Sequence, residues 1–257
     1  MELSIQDWHN RYKQQARWTQ DLRRYLYDRA ELSTARRVLD VGCGTGILLP
    51  ELIARRLPAG AGSVHGLDLD LQYLTLAARN APKAHLTHGD GHFMPFAAGS
   101  FDLSLCHFLL LWVTDPLQVF VEVKRVTRPG GAILILAEPD YGGRIDHPVE
   151  LAQLGEWQQS ALRQQGADPQ IGRRLAQILA QTGLQSVETG VLGGHWTGSP
   201  SPQELASEWM VMKADLAGIV SSDELERLQT LDREAYIRGE RVLYVPTFYA
   251  WGRVPNS

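Results

Sequence analysis

Hydrophobic and polar positions along this 257-residue chain fall into two alternating kinds of segment. Short apolar runs bounded by glycine, proline or acidic residues predict buried strands at 37–41, 63–68, 84–88, 101–106 and 131–137. Between them lie longer stretches of mixed polarity, read as helices at 47–56, 71–80 and 117–126. The first of these helices should end at Pro58-Ala-Gly60. The last should stop at Arg128-Pro-Gly-Gly131, where proline and paired glycines cannot continue a helix. A leading segment at 3–31, rich in Gln, Arg and Leu and free of Gly and Pro, predicts one long helix. Strand and helix in alternation imply a parallel sheet with helices on both faces. The near-continuous apolarity of the strands is what a doubly covered sheet requires.

After residue 138 the pattern changes. Helices are expected at 148–165, 171–182, 202–216 and 222–238, the last opening on the capping signal Ser222-Asp-Glu. A strand with a Gly193-Gly194 bend is expected at 185–196. A final strand is expected at 241–251, with Pro246 marking an edge or a bulge. No repeat or low-complexity linker divides the chain, so residues 1–257 read as a single domain. It has a core at 36–140, C-terminal strands, an N-terminal helix at 3–31, and helices at about 148–182 and 202–238 covering the open end of the sheet as a lid.

Composition narrows the setting. Apolar residues make up 44% of the chain and the net charge is −4, which argues against a protein that grips nucleic-acid backbones. Basic pairs such as Arg36-Arg37 and Arg173-Arg174 read as solvated helix faces. Two cysteines, Cys43 and Cys106, give neither a disulfide framework nor a zinc pattern, and a cytoplasmic location is expected. No signal-peptide core and no apolar stretch of the ~20 residues a membrane helix needs are seen. His9, His65, His85 and His88 show no ligand spacing, so no metal is expected.

The chemistry concentrates in the loop after the first strand, Asp40-Val-Gly-Cys-Gly-Thr-Gly46. Alternate glycines let a backbone turn sharply and approach a ligand closely. The dinucleotide pattern G-x-G-x-x-G is broken by Ile47, and no Gly-Lys-Ser/Thr follows to make a phosphate loop. Acidic residues end the strands: Asp40 on the first, Asp68 on the second, and Asp90 after the third, in Gly89-Asp-Gly-His-Phe93. A carboxylate at the second strand's end can accept both hydroxyls of a ribose. One after the third can accept from an exocyclic amine such as that of adenine. Asp70, just before the helix at 71, reads equally well as a helix cap.

These signals together resemble the class I S-adenosylmethionine (SAM) dependent methyltransferases over roughly residues 36–140. The resemblance rests on the motif at 38–46, the acids Asp68 and Asp90, Phe101-Asp102, Asp115-Pro116 and the turn Arg128-Pro-Gly-Gly131, in the family's order. It implies a Rossmann-like, mostly parallel seven-stranded sheet with helices on both faces, an antiparallel last strand and helical lid insertions. The segments at 185–196 and 241–251 match the family's closing hairpin. It also implies SAM as cofactor and S-adenosylhomocysteine (SAH) as product. Gly42, Cys43 and Gly44 would admit the methionine part and Asp40 would hold its amino group. Asp68 would bind the ribose. Leu69 and His92 would flank the adenine, Asp90 and Gly91 would lie at its amine, and the Cys106-His107 backbone would line the sulfonium. The N-terminal helix is expected to close over the cofactor through Tyr12, Arg17, Trp18 or Thr19, with Arg17 able to pair with the SAM carboxylate.

Methyl transfer needs alignment and water exclusion more than a catalytic signature, with a base only for some acceptors. Three candidates for acceptor chemistry lie at the open end of the sheet: His107, and the pair Asp146 and His147, which reads as a turn and cap or as an acid-oriented base. His195, Trp196 and Tyr249 could form an aromatic wall. The leading expectation is an enzyme that methylates a small molecule, with neither nucleic acid nor membrane as partner and a homodimer left open. The alternatives are an RNA or protein methyltransferase, a non-catalytic SAM- or partner-binding module, and aminopropyl transfer.

Overall fold

The computed structural model describes residues 3–55, 62–193 and 200–256. The N-terminal segment is two helices rather than one: α1 (Ile5–Trp18) and α2 (Gln20–Arg29). Ser4 starts α1 with a reciprocal capping box, its hydroxyl accepting from Asp7 N while the Asp7 carboxylate accepts from Ser4 N at 2.9 Å. The break falls at Thr19, whose backbone leaves helical geometry at φ −101° and ψ 7°. Arg23 stabilises the break by donating to the Ala16 carbonyl, which the helix no longer uses, and to Thr19 Oγ1.

The strands and helices that follow are β1 (Arg37–Val41), α3 (Leu49–Arg55), β2 (Ser63–Asp68), α4 (Leu71–Asn80), β3 (His85–His88), β4 (Phe101–Cys106), α5 (Pro116–Val126) and β5 (Thr127–Pro139). Then come β6 (Ile145–His147), α6 (Ala152–Gln164), α7 (Leu175–Thr182), β7 (Gln185–Leu192), α8 (Pro202–Asp215), α9 (Ser222–Ile237), β8 (Val242–Tyr244) and β9 (Thr247–Arg253). Seven strands form one sheet in the order β3-β2-β1-β4-β5-β9-β7. The first five are parallel, and β9 runs antiparallel to both of its neighbours. This is the Rossmann-like architecture with an antiparallel last strand.

Alternate residues of the central strands feed two separate cores. Val38, Leu103, Leu105 and Leu134 pack with Leu26, Tyr27, Leu49 and Leu52 of the helices on one face. Leu39, Val41, Ile133 and Ile135 pack with Phe120, Val123, Ile178 and Leu179 on the other. Both faces are therefore buried, as the unbroken apolar runs predict. A third core, with Leu151, Leu154, Trp209, Met212, Leu225 and Leu228, joins α6, α8 and α9 into a lid.

Several boundaries differ from expectation. The helix expected from residue 47 starts at Leu49 because the glycine loop extends further. β5 begins at Thr127, since Gly130 at φ +71° and a register shift opposite Phe101/Leu103 carry the strand through the turn. The expected last strand is two strands. Its chain breaks at Val245-Pro246, where proline offers no N–H to a ladder. β8 leaves the main sheet to pair with β6. The helices expected at 148–165 and 171–182 begin as 3-10 turns at Val149–Leu151 and Ile171–Arg174. His195 and Trp196 lie outside the described residues, as does the expected helix end at 58–60. Among the described residues no helix is long and apolar enough to cross a membrane.

Candidate functional site

Sheet register aligns the carboxyl ends of four strands. Val41 pairs with Leu67 of β2 and with Cys106 of β4, and Asp68 pairs with His88 of β3. The loops leaving these strands therefore share one edge of the sheet, where ligands of open parallel sheets bind. The glycine loop is pinned there by β2: Gly42 N and Cys43 N donate to Leu67 O at 2.8 and 3.0 Å, and Gly44 N donates to Asp68 Oδ2 at 2.7 Å. Gly42 has φ +70°, and a Cβ on it would stand 2.6 Å from Leu109 Cδ1. Gly44 has φ +52°, and its nearest neighbour on that side is the Tyr12 ring at 3.5 Å. Gly42 is thus needed for packing, while Gly44 leaves backbone open to the space in front of it.

That space is a cavity of about 440 Å³ between the glycine loop, α1 and the lid. Asp40 and Asp68 both line it. Burial, reinforced by the charge of Asp68, pushes the Asp40 carboxyl up to about 8. Asp68 is also raised by burial, against the pull of the Asp70 and Gly44 N–H groups that it accepts. Arg23 acts on Asp40 at longer range, but no cation among the described residues pairs with either carboxylate, so this part of the cavity suits a positively charged group or hydroxyl donors.

One stripe of α1 closes the front. Trp8, Arg11, Tyr12 and Gln15 follow i, i+3, i+4, i+7 spacing and all line the cavity. The Tyr12 hydroxyl reaches Tyr73 at 3.4 Å. Arg17 lies off this stripe: its side chain is 65% exposed and sits 3.4 Å from Glu204, so the structure does not bring it to the cavity. Arg11 is the arginine that α1 places there, held 2.7 Å from Glu208.

His107 lines the cavity at the end of β4. Its Nε2 is 2.9 Å from Thr19 Oγ1. That oxygen also accepts from Arg23 Nη1 at 2.6 Å, and its one proton is shared among the ring and the Gln15 and Ala16 carbonyls at 3.3 and 3.4 Å. Burial, and then the nearby Arg23 charge, push the imidazole down to about 3. A neutral ring held in this way is a poor proton acceptor at neutral pH. Of the two readings of Asp146 and His147, the acid-oriented base is not what the structure builds. Asp146 is buried against Arg144 at 2.6 Å and Arg241 at 2.7 Å, and His147 is exposed, with its carbonyl accepting from Arg241. Neither residue lines the cavity.

The outer loops lie beside this edge. Asp90 accepts from His92 N at 2.8 Å and from His92 Nδ1 at 2.6 Å. Asp115 N donates to the other ring nitrogen at 3.3 Å. These bonds, the His92 backbone N–H foremost, lower the Asp90 carboxyl. Leu69 is 67% exposed. Leu69, Asp90, Gly91, His92 and the buried Cys106 do not line the cavity among the described residues, although their loops follow β2, β3 and β4 beside it. Asp70 caps α4, accepting from Gln72 N and Tyr73 N. Tyr249 bonds Glu188 away from the cavity.

The lid contributes residues that the sequence does not announce. Tyr141, Gln158, Gln165 and Asp215 also line the cavity, together with Phe108 and Trp112 from the loop after β4. The Asp215 carboxylate accepts from Gln158 Nε2 at 3.1 Å and from Gln165 Nε2 at 3.2 Å. The α1 stripe was readable as helical periodicity. The lid residues converge only through the packing of α6 on α8.

Comparison with known proteins agrees with this geometry. Residues 39–135 match the family model described as a methyltransferase domain. An uncharacterized 37.1 kDa protein in transposon TN4556 of Streptomyces fradiae is 31% identical over 163 residues, covering 62% of this chain and 46% of that protein. A malonyl-[acyl-carrier protein] O-methyltransferase of Erwinia pyrifoliae is 34% identical over 123 residues, covering 48% of this chain and 45% of that enzyme. The chain thus spans under half the length of these two relatives. Among solved structures, phosphoethanolamine N-methyltransferase 2 of Haemonchus contortus superposes with a TM-score of 0.59 at 17% identity, covering 99% of this chain and 61% of that one, and shares the fold.

Proposed function

We propose that this chain, whose residues 39–135 belong to the methyltransferase-domain family, is an enzyme that transfers the methyl group of SAM to a small molecule. The observation that carries this reading is the cradle formed by Gly44 and the carboxylates of Asp40 and Asp68 at the inner end of a cavity with a lid. The residues fit the cofactor chemically. Asp40 would take the ammonium, Gly42 to Gly44 would lie along the methionine, and each Asp68 oxygen retains a lone pair for a ribose hydroxyl. Leu69, Asp90, Gly91 and His92 would lie toward the adenine, and Cys106 and His107 toward the sulfonium.

SAM, when bound, supplies a methyl carbon made electrophilic by its sulfonium. The protein's part is to hold that carbon in line with an acceptor and to exclude water. α1 and the lid close the cavity on both sides, and the neutral His107 adds no positive charge beside the sulfonium. Tyr12 covers the open backbone of Gly44. The acidic net charge supports a small acceptor over nucleic acid. The named relative acts on an acyl-carrier-bound malonyl group, and a demethylmenaquinone methyltransferase of Renibacterium salmoninarum is also 34% identical over 132 residues, half of this chain. Calorimetric titration with SAM and with SAH tests the reading. Micromolar or tighter binding of both supports it, and folded protein that binds neither refutes it.

A further inference from the structure

We propose that the lid end of the cavity takes the methyl acceptor as a protonated amine, with the Asp215 carboxylate as its counter-ion; this rests on the methyltransferase reading above. Among the described residues, four charged side chains line the cavity: Arg11, Asp40, Asp68 and Asp215. Arg11 is engaged by Glu208 at 2.7 Å. Asp40 and Asp68 stand at the glycine loop. Asp215 is left facing the cavity with two neutral amides as its hydrogen-bond partners; Arg11 acts on it only at longer range, and no cation stands within ion-pair distance among the described residues. A desolvated carboxylate without a cation favours a ligand that brings one.

Asp215 is also held ready for such a ligand. Gln158 presents its NH2 to Asp215 because its Oε1 accepts from Arg144 Nη1 at 2.7 Å. Arg144 is fixed by Asp146 at 2.6 Å, Asp146 by Arg241 at 2.7 Å, and Arg241 by Asp232 at 2.6 Å. This buried chain of alternating charge sets the amide so that it donates to Asp215, which favours the ionised form. It gives Asp146 a positioning role at a distance from the cavity. Burial works in the other direction and raises the Asp215 carboxyl. A raised carboxylate is suited to take up a proton from a bound ammonium.

Trp8, Phe108, Trp112 and Tyr141 share the cavity with Asp215, and ring faces favour cations. An anionic acceptor would meet an arginine already neutralised by Glu208, and would face Asp215 besides. The ammonium gives a proton to Asp215, and the freed nitrogen lone pair forms the bond to the methyl carbon. The carbon–sulfur bond breaks with its pair left on sulfur, and the product departs as a methylated ammonium while Asp215 returns its proton to solvent.

The test is SAH release from SAM by the intact protein, with benzylamine, N-methylbenzylamine and N,N-dimethylbenzylamine compared with benzyl alcohol and benzoate. The expected result is turnover of at least one amine, at ten times or more the rate of the alcohol and the carboxylate. Asp215→Asn should raise the amine KM about tenfold or more while the Kd for SAM, which also reports folding, stays within about twofold. Gln158→Leu should raise the same KM with SAM affinity unchanged. Bound SAM with no amine turnover, with preference for the alcohol or the carboxylate, or with an unaltered KM in Asp215→Asn overturns the amine assignment alone. Wild-type protein that binds no SAM overturns both it and the methyltransferase reading.

Discussion

Asparagine at position 68 would keep the shape of the side chain and remove its charge. Asp68 Oδ2 accepts from Gly44 N at 2.7 Å, and Oδ1 accepts from Asp70 N at 2.9 Å. An amide has a single oxygen, so one of these two N–H groups would meet an NH2 donor instead. The loss is one charge-assisted hydrogen bond, about 1.5–3 kcal/mol. The same side chain both holds the glycine loop and faces the cavity, so the loss should appear in ligand binding, as SAM affinity weakened about 10- to 150-fold. Calorimetric titration of wild type and Asp68→Asn measures it. Asp70→Ala is the internal control: it removes the cap that accepts from Gln72 N at 2.7 Å and Tyr73 N at 3.4 Å. It should cost about 1 kcal/mol of stability and leave SAM affinity within about twofold. A Kd for Asp68→Asn within about threefold of wild type, or equal weakening by Asp70→Ala, would refute the reasoning.

Four further outcomes follow from buried charge. Asp40 is raised to about 8, so at pH 7 an incoming ammonium should expel its proton. The binding enthalpy of SAM should then vary with the ionisation heat of the buffer, and the dependence should vanish in Asp40→Asn. Because that raised value exceeds the unfolded one, the ligand-free protein should lose stability as pH rises from about 4 to about 8 relative to Asp40→Asn, measurable as Tm against pH. His107 has the opposite sign: lowered to about 3, it contributes stability above about 6.5 that is lost as pH falls toward 3, so His107→Gln should show a shallower acid limb in Tm. Asp146→Ala would leave Arg144, whose side chain is 5% exposed, without a carboxylate and Arg241, 2% exposed, with Asp232 alone, and should cost about 3–5 kcal/mol in denaturant unfolding. A cost under about 1 kcal/mol, the range of a surface pair, would place the network outside the lid's stability.

Much of the sheet was legible because its physics is local. The apolar runs at 63–68 and 101–106 coincide with β2 and β4, and the acids that end β1 and β2 fall where a parallel sheet puts its ligand edge. The missed break at Thr19 leaves no trace in hydrophobic periodicity. It depends on Arg23 bonding back to Ala16 and Thr19, in a segment whose composition favours one helix throughout. The split at Val245-Pro246 was signalled by proline, but the departure of β8 to β6 depends on the lid. Asp146 attracted attention as a polar residue near strand five, yet its partners Arg241 and Asp232 come from much later in the chain. For the same reason Gln158, Gln165 and Asp215 gave no signal: three polar residues on lid helices look like solvated faces until α6 and α8 pack over the cavity.

The most direct test of the central claim is a crystal structure of the protein with SAH. The account predicts the ribose hydroxyls on the Asp68 carboxylate, the amino group beside Asp40, and the sulfur near His107, under the Trp8–Tyr12 face of α1. SAH bound outside this cavity, or inside it with the ribose away from Asp68, would contradict the account.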